Sequence, residues 1–167
     1  EELGDRITKT KGDGVRPIGR LDLDRSEDEL NVNHLGIGKS VSYKHPYSPH
    51  YPGEEALALV DGKRGTINHH DGFWQGFARN DIEVVIDLDS LASIKKLGIS
   101  FLQNQGAWIF FPKNVRFEVS VDGTDYKLVQ NKEYEVTKSP EILFRNVNAN
   151  YDGNPIRYIK VTARNQP

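Results

Sequence analysis

The chain contains no cysteine and no methionine. Without cysteine there is no disulfide framework, and no thiolate to act as nucleophile or metal ligand. Without methionine, even at position 1, the chain reads as a piece excised or processed from something longer. Long apolar runs are missing too. No stretch approaches the about 18 consecutive apolar residues of a membrane-crossing helix, and no signal-peptide pattern is visible. An excess of one charge is also missing. The formal net charge is −2, which leaves no electrostatic case for nucleic acid or an anionic membrane as partner. Catalytic motifs are absent as well. There is no Gly-x-Ser-x-Gly and no His-Glu-x-x-His. The aspartates fall mostly at turns, as at Asp61, Asp122 and Asp152, where such side chains bond their own backbone. Neither the alternation of strands and helices nor the length of about 250 residues of a catalytic (β/α)8 barrel is present. The chain is therefore read as non-catalytic.

What is present is a series of short strands. A chain of 167 residues fits one domain plus an extension. Its apolar share, 37%, is enough for a sandwich core, which needs only one face of each strand. Residues 1–38 differ from the rest: they are rich in charge and glycine, and are read as a linker or the tail of a preceding domain. Within them Arg25 to Leu30 offers one helical turn capped by Ser26, with Glu29 three residues on. Gly36 and Gly38 mark the boundary, and Lys39 to Tyr43 begins the first strand of a module spanning 39–167. Tyr43 to Tyr51 holds two prolines and reads as an extended aromatic loop, its tyrosines facing a ligand or covering an open end. Glu54 to Val60 offers a short helical turn. Asp81 to Leu88, Ile94 to Leu102, Trp108 to Phe111, Glu141 to Val147 and Arg157 to Ala163 read as strands, with a bend possible at Gly98. Val115, Phe117, Val119 and Val121 alternate with polar residues, which predicts a half-buried strand with those four facing inward. Asp122 to Asp125 is a hairpin turn, and Tyr126 to Val129 the return strand. Such a series argues for an antiparallel β-sandwich.

The stretch from Asp61 to Leu88 ties the reading together. It joins Asp61-Gly62-Lys63-Arg64-Gly65-Thr66, the polar cluster His69-His70-Asp71-Gly72, Phe73-Trp74-Gln75-Gly76-Phe77, and a strand ending in Asp87-Leu88. Asp61-Gly62, Thr66, Trp74 and Asp87-Leu88 in this order resemble the start of a discoidin-like domain, the coagulation factor five/eight type C family. Tyr51-Pro52-Gly53, Leu59 to Gly65, Trp74 to Phe77, Phe101-Leu102-Gln103, Trp108 to Pro112 and Ser120 to Gly123 narrow the resemblance. They look like the module attached to bacterial family 20 β-N-acetylhexosaminidases, the chitobiase-like enzymes. The resemblance covers about Lys39 to Asn165. It implies an all-β, galactose-binding-domain-like jelly-roll sandwich with its functional loops at one end, exported from a bacterial cell. It also implies a role as a carbohydrate-binding module that targets a parent glycoside hydrolase to glycans. Trp74 is expected to pack under the loops, and Phe77 to lie in the core.

Two sites follow as expectations. The resemblance implies a calcium ion held by the Asp61 side chain, the Lys63 carbonyl and Thr66. Calcium takes six to eight hard oxygens, and tight loops supply carbonyls beside a carboxylate. The sequence departs from the family pattern in having no glutamate in Thr162-Ala163-Arg164, and in the insertion between Thr66 and Trp74. A plain turn stabilised by Asp61 is the other reading. The second site is a shallow sugar site built from His69, His70, Asn104, Gln105, Trp108 and Tyr151. A sugar needs an aromatic platform for its C–H face and planar polar groups for its hydroxyls, and a neutral imidazole both donates and accepts. His69 and His70 are poor joint zinc ligands, because neighbouring side chains diverge in extended chain; a solvated loop is their other reading. Core packing with Ile109, Phe110 and Phe111 is the alternative for Trp108. Galactose, N-acetylgalactosamine and N-acetylglucosamine glycans, and the catalytic domain of the parent chain, are the implied partners. Two alternatives stand beside this. One is a bracing module without a ligand, since a fold does not establish one. The other is a lipid- or protein-binding discoidin domain, which for lipid would want apolar spikes ringed by basic residues that the Asn104–Trp108 loop lacks.

Overall fold

Strands form where β-branched and aromatic residues cluster between turn residues. The computed structural model describes residues 32–166 and the backbone of Val15–Pro17. Its strands are β1 (Val15–Pro17), β2 (Ser40–Tyr43), β3 (Ile82–Ser93), β4 (Lys96–Gln103), β5 (Asn114–Ser120), β6 (Lys127–Glu133), β7 (Leu143–Asn150) and β8 (Pro155–Arg164). They make a three-stranded sheet, β1-β7-β4, and a five-stranded sheet, β2-β3-β8-β5-β6. Every pairing is antiparallel. The two sheets bury one core between them. Val84, Leu88, Val115, Phe117, Val119, Ile159 and Val161 come from the larger sheet; Leu97, Phe101, Leu143, Val147 and Ala149 come from the smaller. This is the expected all-β sandwich.

Departures from the expected elements have local causes. β3 runs past Leu88 to Ser93, because a bulge between Asp87 and Ala92, with Asp89 at φ 69°, re-aims the strand without ending it. Asp87 is pinned there by Arg157 of β8 through Nε and Nη2 at 2.7 and 2.8 Å. Val121 does not face inward: β5 ends at Ser120, and Val121, 58% exposed, belongs to the turn. Trp108 to Phe111 is no strand. Gln105–Ala107 is a 3-10 turn, and only Phe111 of the apolar run reaches the core. Phe77 is half-buried and stacks on Tyr43 at 6.3 Å, outside the core cluster. Gly98 lies within β4 without ending it; a Cβ there would meet Asn148 Oδ1 at 2.6 Å. Glu55–Leu57 is the expected helical turn, of 3-10 type.

Among the described residues, the stretch 1–38 takes part in the fold at two places. Val15–Pro17 pairs with Leu143–Arg145 of β7, and Val32 and Gly38 donate their N–H groups to the carbonyls of Gly62 and Val60 at 2.6 and 2.9 Å. The turn expected at Arg25 to Leu30 lies outside the described residues.

Strand order decides which loops share an end. Gln103 of β4 pairs with Leu143 of β7, and Asn114 of β5 with Arg164 of β8 and Glu133 of β6. Tyr43 of β2 pairs with Val84 near the start of β3. The segments 44–81, 104–113 and 134–142 therefore leave the same end of the sandwich. The 94–95 and 151–154 connections leave the opposite end, where Tyr151 N donates to Lys95 O at 2.9 Å.

Candidate functional site

The loop 61–77 is built by side chains that bond backbone. Asp71 is its hub. Its Oδ2 accepts from the Thr66 N–H at 2.6 Å and the Thr66 hydroxyl at 2.8 Å, and its Oδ1 accepts from Phe73 N at 2.9 Å. Trp74 lies under the loop as expected. Its indole N–H donates to Thr66 O at 2.7 Å, and its ring stacks on Phe144 at 5.8 Å. Phe144 is buried on the side of β7 that faces away from the main core, so Trp74 seals the outer face of the small sheet. Gly65 makes that possible: a Cβ there would stand 2.1 Å from Trp74 Nε1.

His69 and His70 are presented from this tied loop. Their rings lie 4.0 Å apart, each within 6 Å of the Tyr51 ring, at 5.9 and 5.6 Å. The expected divergence fails because the pair sits in a turn, where the chain is not extended. Burial, then His70, pushes the His69 imidazole below its ordinary value, against an opposing pull from Asp71. A neutral His69 can both donate and accept. Tyr51 was not foreseen as part of this cluster. Its only sequence signal is its place in the aromatic loop, brought alongside by the Gly76 N to Tyr51 O bond at 2.9 Å.

The 104–111 loop holds the other expected residues. Asn104 and Ile109 exchange both backbone bonds, at 2.9 and 3.0 Å, and Ala107 N donates to Asn104 O. This closes the loop and leaves Trp108 in the left-handed region, φ 59°, with 85% of its surface exposed. Core packing is thus excluded for Trp108. Its nearest ring is Phe110, edge-on at 6.3 Å and itself exposed. Gln105 does not face outward as a free reader, since its Nε2 donates to the Thr137 carbonyl. Beneath lies Arg145, buried between Phe111 and Tyr134 at 4.3 and 4.1 Å from their ring centres. Its guanidinium reaches the Pro112 carbonyl at 3.5 Å and the Thr137 hydroxyl at 3.4 Å. Gln105 and Arg145 together tether the base of the Trp108 loop.

Tyr151 does not join this end. It follows β7 at the opposite end of the small sheet, half-buried against the core, and burial raises its hydroxyl pKa. An eight-residue strand such as β4 separates the two ends by about 23 Å, so no single shallow sugar site includes both Tyr151 and Trp108. The three loops do not converge; two of them share an end.

At the expected calcium position, Asp61 Oδ1 accepts from Lys63 N at 2.8 Å, while Oδ2 is buried and meets no donor among the described residues. Burial raises the Asp61 pKa against the opposing pull of Lys63. The Thr66 hydroxyl is turned to Asp71.

A family model described as the F5/8 type C domain matches residues 39–167. Among solved structures, the module CpGH89CBM32-6 of Clostridium perfringens is similar at 15% identity and TM-score 0.53, over 80% of this chain and 90% of that one. A fucose binding module of Streptococcus pneumoniae is similar at 18% identity and TM-score 0.53, over 80% and 88%. The C-terminal domain of a chitobiase from Bacteroides fragilis reaches 20% identity and TM-score 0.44, over 75% and 81%. No curated protein matches the chain.

Proposed function

The chain belongs to the F5/8 type C domain family, and from that we propose that it is a non-catalytic carbohydrate-binding module. Its site is the Trp108 loop. The observation that carries this reading is the exposed indole at positive φ. An aromatic residue in the left-handed region costs of order 1 kcal/mol and is kept where the surrounding backbone enforces it, often for function. Here the paired Asn104 and Ile109 backbones enforce it. Trp108 then serves as the platform for the apolar face of a sugar. Asn104 sits at its foot, and His69, His70 and Tyr51 form a second polar and aromatic cluster on a loop from the same end.

Shallow, wet sites of this kind bind near millimolar, about −4 kcal/mol. The gain comes from tethering, which raises the effective concentration of an attached enzyme at a glycan surface. A glycoside hydrolase of the β-N-acetylhexosaminidase class as parent, with export from a bacterial cell, follows from the motif resemblance in Tyr51–Gly53 and Leu59–Gly65. Galactose, N-acetylgalactosamine and N-acetylglucosamine are the sugars to try first. Asp61 fits a calcium ion, which would supply the partner that its buried Oδ2 lacks among the described residues and would brace the loop; the Thr66 side chain, bonded to Asp71, does not fit that set.

Titration of the chain with oligomers of these three sugars tests the reading. Trp108→Ala is expected to abolish binding and leave the melting temperature unchanged, because an exposed side chain contributes within about 0.5 kcal/mol. Binding that survives the substitution moves the site elsewhere; a wild-type chain that binds none of the sugars leaves the bracing role.

A further inference from the structure

The outer face of the five-stranded sheet is a second surface built as a site. Register sets its side chains in rows across the strands. Arg164, Asn114 and Glu133 stand side by side on β8, β5 and β6; in the next row stand Thr162, Arg116 and Asn131. These side chains line an open groove of about 290 Å³.

A merely solvated sheet face keeps its polar groups in water. Here Asn114 and Glu118 form a floor only 6% and 8% exposed, while Asn131, Glu133 and Arg164 stand exposed around it. Each is fastened in place. Asn114 Nδ2 donates to Asn131 Oδ1 at 2.7 Å, and Glu118 is held by Arg116 Nη2 at 2.9 Å and Lys160 Nζ at 3.7 Å. Arg116, at the centre of the rows, keeps a buried Nε–H that meets no acceptor among the described residues. A buried donor left without an acceptor is costly, and an acceptor brought by a ligand would satisfy it.

The lining selects the kind of ligand. Three cations, Arg116, Lys160 and Arg164, are balanced by three carboxylates, Glu83, Glu118 and Glu133. A polyanion would meet those carboxylates, so nucleic acid and sulfated chains are disfavoured. Among the described residues no apolar or aromatic side chain lines the groove, so it offers little to lipid or to an amphipathic helix. Donors and acceptors are interleaved, and a sugar hydroxyl is both at once. Strands stand about 4.8 Å apart, so β3 to β6 span about 14 Å, the reach of a short oligosaccharide.

We propose that this groove is a second glycan-binding surface, taking a linear uncharged oligosaccharide laid across the strands. Asn131, Thr162, Arg116 and Arg164 read its hydroxyls. The inference deepens the reading of the domain as a glycan binder, yet it needs no contribution from Trp108.

The test is nuclear magnetic resonance of the full chain, isotopically labelled, as wild type and as Trp108→Ala. Hexasaccharides of glucose, galactose and N-acetylglucosamine are the probes, with their monosaccharides and a sulfated hexasaccharide as controls. At least one uncharged hexasaccharide is expected to shift the signals of Asn114, Arg116, Asn131 and Thr162 equally in both proteins, more strongly than its monosaccharide. Thr162→Ala, on the solvent side of the buried floor and away from the Asn114–Asn131 bond, is expected to weaken that binding about tenfold with an unchanged melting temperature. Arg116→Lys, which keeps the charge and removes the Nε donor, serves as a second variant with the same expected loss. The proposal is overturned if no probe shifts these residues, if the shifts vanish with Trp108→Ala, or if only the sulfated chain responds. Groove shifts without any response at residues 104–110 would support the groove and sink the Trp108 site.

Discussion

Gly65 and Asp61 show how single residues on the loop 61–77 hold or tune it. At Gly65 the indole of Trp74 occupies the space of a side chain. Gly65→Ala must push Trp74 off Phe144 and break its bond to Thr66 O. The expected cost is about 1–3 kcal/mol of unfolding free energy, read by denaturant titration, with a shift in tryptophan emission. At Asp61 burial raises the folded-state pKa. A carboxyl so raised favours the folded state below its unfolded value and loses that contribution as pH rises through its folded value. In metal-stripped protein Asp61→Asn is therefore expected to match the wild type in acid and to gain on it above the carboxylate range. Calcium should reverse the order, raising the melting temperature of the wild type alone. An identical response of both proteins to calcium and chelator would remove the ion from the Asp61 loop.

The β5–β6 hairpin is an element whose turn is held by one carboxylate. Asp122 Oδ1 accepts from Thr124 N, Asp125 N and the Ser120 hydroxyl, each at 2.9 Å. These bonds hold its pKa well below the usual carboxylate range, with the Thr124 amide the largest cause. A depressed folded-state pKa contributes stability above the unfolded value, and that stability is lost as pH falls through the folded value. Asp122→Ala should accordingly melt below the wild type at neutral pH, and the gap should close on acidification. A gap that stays constant with pH would mean that packing, not the carboxylate, sets the turn. The Trp108 loop is the contrasting element: its conformation is fixed from below, by Arg145 and Gln105, and by the Asn104–Ile109 backbone pair.

For the whole molecule, the start of the module matters. The family match begins at residue 39, yet Val32 and Gly38 bond the carbonyls of the Asp61 loop. A chain beginning at Lys39 loses both bonds, each worth about 0.5–1.5 kcal/mol. It is expected to melt below a chain beginning at Val32, with faster hydrogen exchange at the Val60 and Lys63 amides. Equal melting and exchange would show that residues 32–38 only rest against the loop.

Much of the sandwich could be read from local pattern. Side chains that alternate in polarity, as from Val115 to Val119, report which face avoids water, and Asp-Gly pairs report where the chain reverses; both are short-range facts. The place of Trp74 could be read too, through the ordered motifs around it. Trp108 could not. The run Trp108-Ile109-Phe110-Phe111 is apolar throughout, and composition does not distinguish a strand from a closed loop that turns its indole outward. That outcome depends on the Asn104–Ile109 pairing and on Arg145, some forty residues away in sequence. Val121 failed for a related reason: alternation continues in the letters after the ladder has stopped. Tyr151 and Trp108 looked alike as aromatics in polar loops, but strand direction puts them at opposite ends. The meeting of Tyr51 with the two histidines, and the polar groove across β8, β5 and β6, are likewise products of pairing register. Local sequence decides which residues leave water and where the backbone turns. Which loops become neighbours is decided by long-range strand order, whose partners are scattered along the chain.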